Sequence, residues 1–522
     1  MQKPCFAHVD AAEPCFLRHH WRFFLLFSLI AIAFRVWFLL QFRMLTADSF
    51  VYGDIAKNWL ESGIYGISLA NGPEPTYIRM PGYPAFLASI WRIVGMEHYT
   101  AVLIVQIVID LGTCFLIADL TRRFLGPRTL LRLSSRVSAG SEVEQQNSRV
   151  PHLRLGSAEV GQKAPLVAFA LAALCPLFAS YSSAALTETL AIFFAALSID
   201  LALVALGSPE RKARWIVCGI ALAAGIFLRP DGGMLLMAIG AYLLWRFFRT
   251  RQMRFLTAIV LIGVFSLAPL IPWTIRNWKL YHLFQPLTPI NANAPDEFVA
   301  YGFQKWFKTW VVDYSSLEDI WFNVPFTEIS VDDLPARAFD SPQQKQETEE
   351  LFNDYNSGRK VITPELDARF AQLANQRIRD SRFRYYVWLP LLRLADLWLR
   401  PRTEMLPIDV HWWHFSDDPH DFSLALLLAL INAFYLAAAT VGAFRWRGCL
   451  FGIAIVTIFI AIRSVFLMYM PNPEPRYMLE CYPAILALAG IGLAGRNQVP
   501  AVARAPSPAS ETSVDPSPLR DL

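Results

Sequence analysis

The sequence predicts an all-α polytopic membrane protein, a bundle of about ten transmembrane helices with amphipathic helices on its outer face. Three observations carry that prediction. The 522-residue chain is 55% hydrophobic and only 17% charged, where an ordinary soluble chain has about 25% charged residues. Its apolar residues gather into windows of roughly 20 residues, the length of helix that spans a bilayer. Its basic residues gather at alternate ends of those windows. The net charge of +4 says little beside that placement.

In chain order the windows fall near 22–42, 100–120, 164–182, 187–206, 214–229, 232–248, 255–273, 421–444, 449–469 and 477–495. Arg18, His19, His20 and Arg22 lead into the first, as they would into a signal peptide. The apolar run continues past Arg35 to Phe42 without a small-residue cleavage site, so a retained span is expected. The segments after the second, fourth, sixth, eighth and tenth windows read "TRRFLGPRTLLRLSSR", "SPERKAR", "RFFRTRQMR", "RWRG" and "GRNQ", all basic. Positive residues stay in the cytoplasm. Residues 1–20 are therefore expected to be a cytoplasmic N-terminus and 21–495 the membrane domain, with a cytoplasmic loop at 121–163. The Ser-, Gly- and Gln-rich stretch 126–163 and the Pro/Ser/Ala-rich tail 496–522 predict disorder.

Two outer loops remain, 43–99 and 274–420. The second has the size of a small domain and the composition of a lid. In "FQKWFKTW", Phe303, Trp306, Phe307 and Trp310 recur at helical spacing. In "RYYVWLPLLRLADLW", Tyr385, Trp388, Leu391, Leu392, Ala395 and Trp398 do the same, with Arg393 opposite. Such stripes fit a helix lying in the headgroup plane, or one packing on its own neighbours. The seven cysteines are scattered without a CxxC pair, most of them inside apolar windows, which predicts neither disulfides nor a zinc site.

Ionisable residues at the outer edge carry the chemistry. Asp48 and Asp54 follow the first window on a short helix marked by Tyr52, Ile55, Ala56 and Trp59. Asp48 could equally be a helix cap, and Asp54 reads as a solvated face residue. Arg79 stands just before the rigid "MPGYP" element. Glu188 opens the fourth window, where helix-dipole stabilisation is the plainer role. Arg229 and Asp231 sit in the turn "FLRPDGG", and Arg476 with Tyr477 leads into the last window. Three arginines from distant parts of the chain at one surface suit an anionic headgroup, with snorkelling to lipid as the alternative for each. Asp110 and Asp200 lie deeper, and structural ion pairs are expected there. No phosphate-cradling glycine loop, HExxH, GxSxG or Cys/His cluster is present. No cofactor is expected, a divalent cation being left open, and no nucleic-acid partner.

The stretches "ADSFVYGDIAKNWLESGIYG", "RMPGYPAFLA", "TETLAIFFAALSIDLAL", "GIALAAGIFLRPDGG", "PLIPWTIRNW" and "EPRYMLECYPAILALAG", in this order and topology, resemble the GT-C class of integral-membrane glycosyltransferases. The resemblance is to the branch of the protein O-mannosyltransferases and the lipid A aminoarabinose transferase, and it covers roughly 20–495. It implies a GT-C-like bundle in the plasma (inner) membrane with its site on the extracytoplasmic side. It implies a polyprenyl-phosphate sugar as donor and a glycan, lipid or protein acceptor, with membrane lipids around it. Asp48 matches the family's catalytic base and Glu188 its second acid. Tyr52, Asp54, Arg79, Arg229, Arg476 and Tyr477 become substrate-binding candidates. Ser49 stands where the family often has Glu, which sets the chain apart from protein O-mannosyltransferases in the strict sense. A secondary transporter or a carrier of lipid-linked substrates is the alternative from another class.

Overall fold

Among the described residues the apolar windows fold almost entirely as helix. The structure, a computed structural model, describes residues 16–125, 152–415, 418–445 and 450–494. The expectations for the N-terminal 1–15, for 126–151 and for the tail beyond 494 lie outside the described residues. The membrane helices are α1 (Trp21–Gln41), α4 (Tyr99–Leu125), α5 (His152–Ala173) with α6 (Pro176–Ser182), α7 (Glu188–Gly207), α8 (Lys212–Leu228), α9 (Gly233–Thr250), α10 (Met253–Leu267) with α11 (Leu270–Tyr281), α16 (Pro419–Arg445), α17 (Leu450–Met468) and α18 (Tyr482–Leu493). Between α1 and α4 lie α2 (Ala47–Ser62), a hairpin of β1 (Gly66–Leu69) and β2 (Gly72–Pro75), and α3 (Gly82–Val94). Between α11 and α16 lie α12 (Tyr301–Phe307), α13 (Pro342–Ser357), α14 (Pro364–Asp380) and α15 (Leu389–Leu399).

Four of these helices, α1, α4, α7 and α16, are long and apolar enough to cross a membrane alone. Two bent pairs, α5 with α6 at 46° and α10 with α11 at 42°, raise the number to six. The remaining windows are covered by shorter pieces. The last begins in the 3-10 helix Pro475–Cys481 before α18 takes over at Tyr482. Two further details differ from expectation. α5 starts at His152, twelve residues before its window, and an antiparallel β1–β2 hairpin stands between α2 and α3.

The bundle core joins α4, α5, α7, α8, α9, α16, α17 and α18. Where α16 meets α18 the backbones nearly touch: a Cβ on Gly442 would lie 2.0 Å from the Leu488 carbonyl oxygen. Close approach through small residues is how helices pack without help from a hydrophobic driving force. The expected ion pairs form inside the bundle. Arg35 pairs with Asp110 and donates to the carbonyls of Ala172 and Ala173, at the end of α5. Arg123 pairs with Asp200.

Over its first half the large loop packs on itself rather than presenting its first apolar stripe to the headgroup plane. Phe303, Trp306, Phe307 and Trp310 are buried against Phe352, Phe370 and Leu373 of α13 and α14 in a core of their own. The second stripe behaves differently. Trp388 and Leu391 remain half exposed, while Arg393 is buried and donates to the carbonyls of Lys308, Val311 and Met468. That arginine ties the loop's core to the end of α17.

Candidate active site

Asp48 meets Glu188 because two chain connections are stitched together. The Met44 amide donates to the Ser183 carbonyl (3.2 Å) and the Ala185 amide to the Met44 carbonyl (3.3 Å). This short parallel bridge fixes the α1–α2 link beside the α6–α7 link. Helix α2 starts three residues after Met44, at Ala47. Its cap is Thr46, whose side chain accepts from the Ser49 amide while Ser49 Oγ accepts from the Thr46 amide (3.0 Å). Asp48 is therefore not the cap. Its carboxylate sits in the first turn, where the helix dipole favours a negative charge, and reaches outward. Oδ1 accepts from Arg79 Nη2 at 2.8 Å and Oδ2 from Arg476 Nη2 at 3.2 Å.

Arg79 is brought in by the "MPGYP" element. A Cβ on Gly82 would lie 2.5 Å from the Phe227 carbonyl oxygen, so only glycine lets the start of α3 press on the end of α8. The Arg79 carbonyl is held by the Tyr65 hydroxyl at 2.9 Å. Its guanidinium lies over the Tyr52 ring, 5.7 Å from the centroid. Tyr52 packs edge-on against Tyr83, and burial pushes its phenol up to about 12.

Behind this pair the charges interleave. Glu188, at the first turn of α7, accepts from Arg229 Nη1 at 3.0 Å and lies 3.7 Å from Arg476 Nε. Its other oxygen is buried with no hydrogen-bond partner among the described residues. Arg229 forks onto Asp231 with two contacts of 3.1 Å and lies over the Tyr477 ring at 4.6 Å. Arg463 closes the back, 2.7 Å from Asp231 and 2.9 Å from Glu480. Glu474 holds Arg476 at 2.6 Å and accepts from the Tyr477 hydroxyl at 2.6 Å.

Exposure falls along this row. The side chains of Asp48 and Arg79 are 29% and 22% exposed, Arg476 15%, Glu188 3% and Arg463 fully buried. A ligand arriving from outside thus meets Asp48, Arg79 and Arg476 first. Burial alone would raise the Asp48 carboxyl, but Arg476 and Arg79 outweigh it and hold the group below the usual carboxylate range.

Of the candidates read from the sequence, Asp48, Tyr52, Arg79, Glu188, Arg229, Arg476 and Tyr477 come together. Asp54 does not. Its carboxylate accepts from the Ser68 amide and hydroxyl, both at 2.6 Å, which clamps the hairpin to α2. Its place one turn and a half beyond Asp48 turns it to that side of the helix. Sequence reading missed Arg463, Glu474 and Glu480. Arg463 is the one charge in the apolar run of α17, a signal that was available. A possible cation-holding group lies elsewhere: Asp418, His420 and Asp421 place ligand atoms within 4.8 Å of one another at the largely exposed start of α16.

Among solved structures the chain is similar to the oligosaccharyltransferase AglB of Archaeoglobus fulgidus, in complex with an inhibitory peptide and a dolichol-phosphate. Identity is 12%, the match covers 91% of this chain and 50% of that one, and the TM-score is 0.47. It is also similar to ArnT of Cupriavidus metallidurans bound to undecaprenyl phosphate, at 13% identity, 90% and 77% coverage and a TM-score of 0.36. The chain spans about half the length of the archaeal enzyme. No curated protein matches it in sequence. Residues 156–275, which hold Glu188 and Arg229, match the family described as dolichyl-phosphate-mannose-protein mannosyltransferase.

Proposed function

We propose that the protein is a membrane glycosyltransferase. It moves a sugar from a polyprenyl-phosphate donor to an acceptor hydroxyl at the extracytoplasmic face of the plasma membrane, with inversion at the anomeric carbon. The observation that carries this reading is the carboxylate of Asp48 standing between two guanidinium groups at the exposed end of the charge row. The family match over 156–275 supports it.

The chemistry follows from those groups. The acceptor oxygen attacks the anomeric carbon while its proton passes to an Asp48 oxygen. The new bond forms as the bond from that carbon to the phosphate oxygen breaks, and its electron pair leaves on the lipid phosphate. Arg79 and Arg476 neutralise the charge that develops there, with bidentate geometry available to each. Glu188, Arg229, Asp231 and Arg463 hold Arg476 and Tyr477 in place from behind. The deeper acids are paired with arginines of the bundle, Asp110 with Arg35 and Asp200 with Arg123. That weighs against a transport path through them.

Purified protein incubated with a panel of polyprenyl-phosphate sugars and membrane-extract acceptors tests the reading. Release of free polyprenyl phosphate, with the product anomer opposite to the donor's by NMR, is the expected result. Passage of intact donor across vesicles without cleavage would replace the reading with a carrier.

A further inference from the structure

The two arginines that face an incoming phosphate are already occupied. Asp48 Oδ1 takes Arg79 Nη2 at 2.8 Å and Oδ2 takes Arg476 Nη2 at 3.2 Å. Part of the rest of each guanidinium is engaged as well. Arg79 Nη1 donates to the Ile78 carbonyl at 3.2 Å, and its plane rests on Tyr52. Arg476 Nε lies 2.6 Å from Glu474 and 3.7 Å from Glu188, and its plane faces Tyr477 at 5.4 Å. The more exposed pairings in the row are thus the two made by Asp48, while Glu188, Asp231 and Glu480 are held deeper by Arg229 and Arg463. A guanidinium has a fixed set of donors. A phosphate and Asp48 compete for the outward Nη2 donors of Arg79 and Arg476.

We propose that Asp48 is a built-in competitor for the donor's phosphate: it closes the anion pocket in the resting protein, and the arriving phosphate displaces it. The inference rests on the lipid-phosphate reading given above and adds a switch to it. Before the donor binds, the carboxylate is neutralised by two cations and is a poor proton acceptor. Once the phosphate takes those cations, the carboxylate is released beside the anomeric carbon as a free base. Donor binding and activation of the base become one event, and an acceptor or water that enters first meets a silent site.

The competition has a signature opposite to that of an ordinary contact residue. Farnesyl monophosphate, a sugar-free prenyl phosphate, is titrated into detergent-purified full-length protein. Asp48→Asn and Asp48→Ala remove the competitor and one negative charge, and both should bind the probe about tenfold more tightly than wild type. Both should transfer sugar about 10²–10⁴-fold more slowly than wild type. Thermal unfolding midpoints report folding, and two variants of different shape guard against a local collapse in one of them. Unchanged or weaker binding in the folded variants overturns the displacement while leaving the glycosyltransferase reading intact. Failure of wild type to bind farnesyl monophosphate at all overturns both.

Discussion

At the residue scale the site is a row of charges whose members depend on one another. Arg463 is the clearest case. It is fully buried in α17 and carries both Asp231 and Glu480. Replacing it by Met leaves two buried carboxylates short of a cation, which costs about 3–5 kcal/mol. Unfolding of Arg463→Met in detergent, followed by heat or denaturant, should show a loss of that size. Asp54→Asn should act locally instead, loosening the hairpin through Ser68 and leaving the Asp48 contacts in place. Individual residues were legible to different degrees. Asp48, Arg79, Glu188 and Arg476 stood out because ionisable side chains at the ends of apolar runs need a reason. Whether Asp48 capped its helix could not be read, since Thr46, Asp48 and Ser49 are all good caps and the choice depends on where the backbone turns after Met44. Arg463 was overlooked because a single charge hardly dents an apolar window.

At the scale of elements, period alone located the helices but not what covers them. The stripes of 303–310 and 385–398 read alike. The first closes a core with α13 and α14, whereas Trp388 and Leu391 of the second stay half exposed. A stripe specifies an apolar face; the identity of the surface it meets depends on other segments of the chain. Trp306 is fully buried in the loop's core. Trp306→Ala should cost about 3–5 kcal/mol, with faster limited proteolysis confined to 301–380 as its mark. Helix α15 offers a test by pH. Burial raises the Asp396 carboxyl from 3.8 to about 7, with Arg400 countering only part of it. A group whose folded pKa is raised contributes stability that is full below its unfolded value and lost as pH rises through the folded one. Thermal midpoints should therefore fall between pH 5 and pH 8 by more in wild type than in Asp396→Asn.

At the scale of the whole molecule, the chain folds so that residues 48, 79, 188, 229, 463 and 476 share one end of the bundle. The alternation of basic and mixed-sign connections anticipates that gathering, because it puts the same connections on one surface. It does not give the register between them. That comes from the Met44 bridge and from the glycine at 82, neither of which carries a periodic signal. Positive charge at the other end predicts sidedness: a cysteine introduced at Glu74, exposed on β2, should react with an impermeant thiol reagent in intact cells, and one at Glu210 only after permeabilisation.

The central claim is that Asp48 takes a proton from an acceptor while the arginines around it receive a lipid phosphate. Sugar transfer from a polyprenyl-phosphate donor, measured in membranes containing equal amounts of folded Asp48→Asn, Asp54→Asn and wild-type protein, tests it most directly. The account predicts a fall of about 10²–10⁴ for Asp48→Asn and rates within a few-fold of wild type for Asp54→Asn. Transfer by Asp48→Asn at the wild-type rate would contradict it.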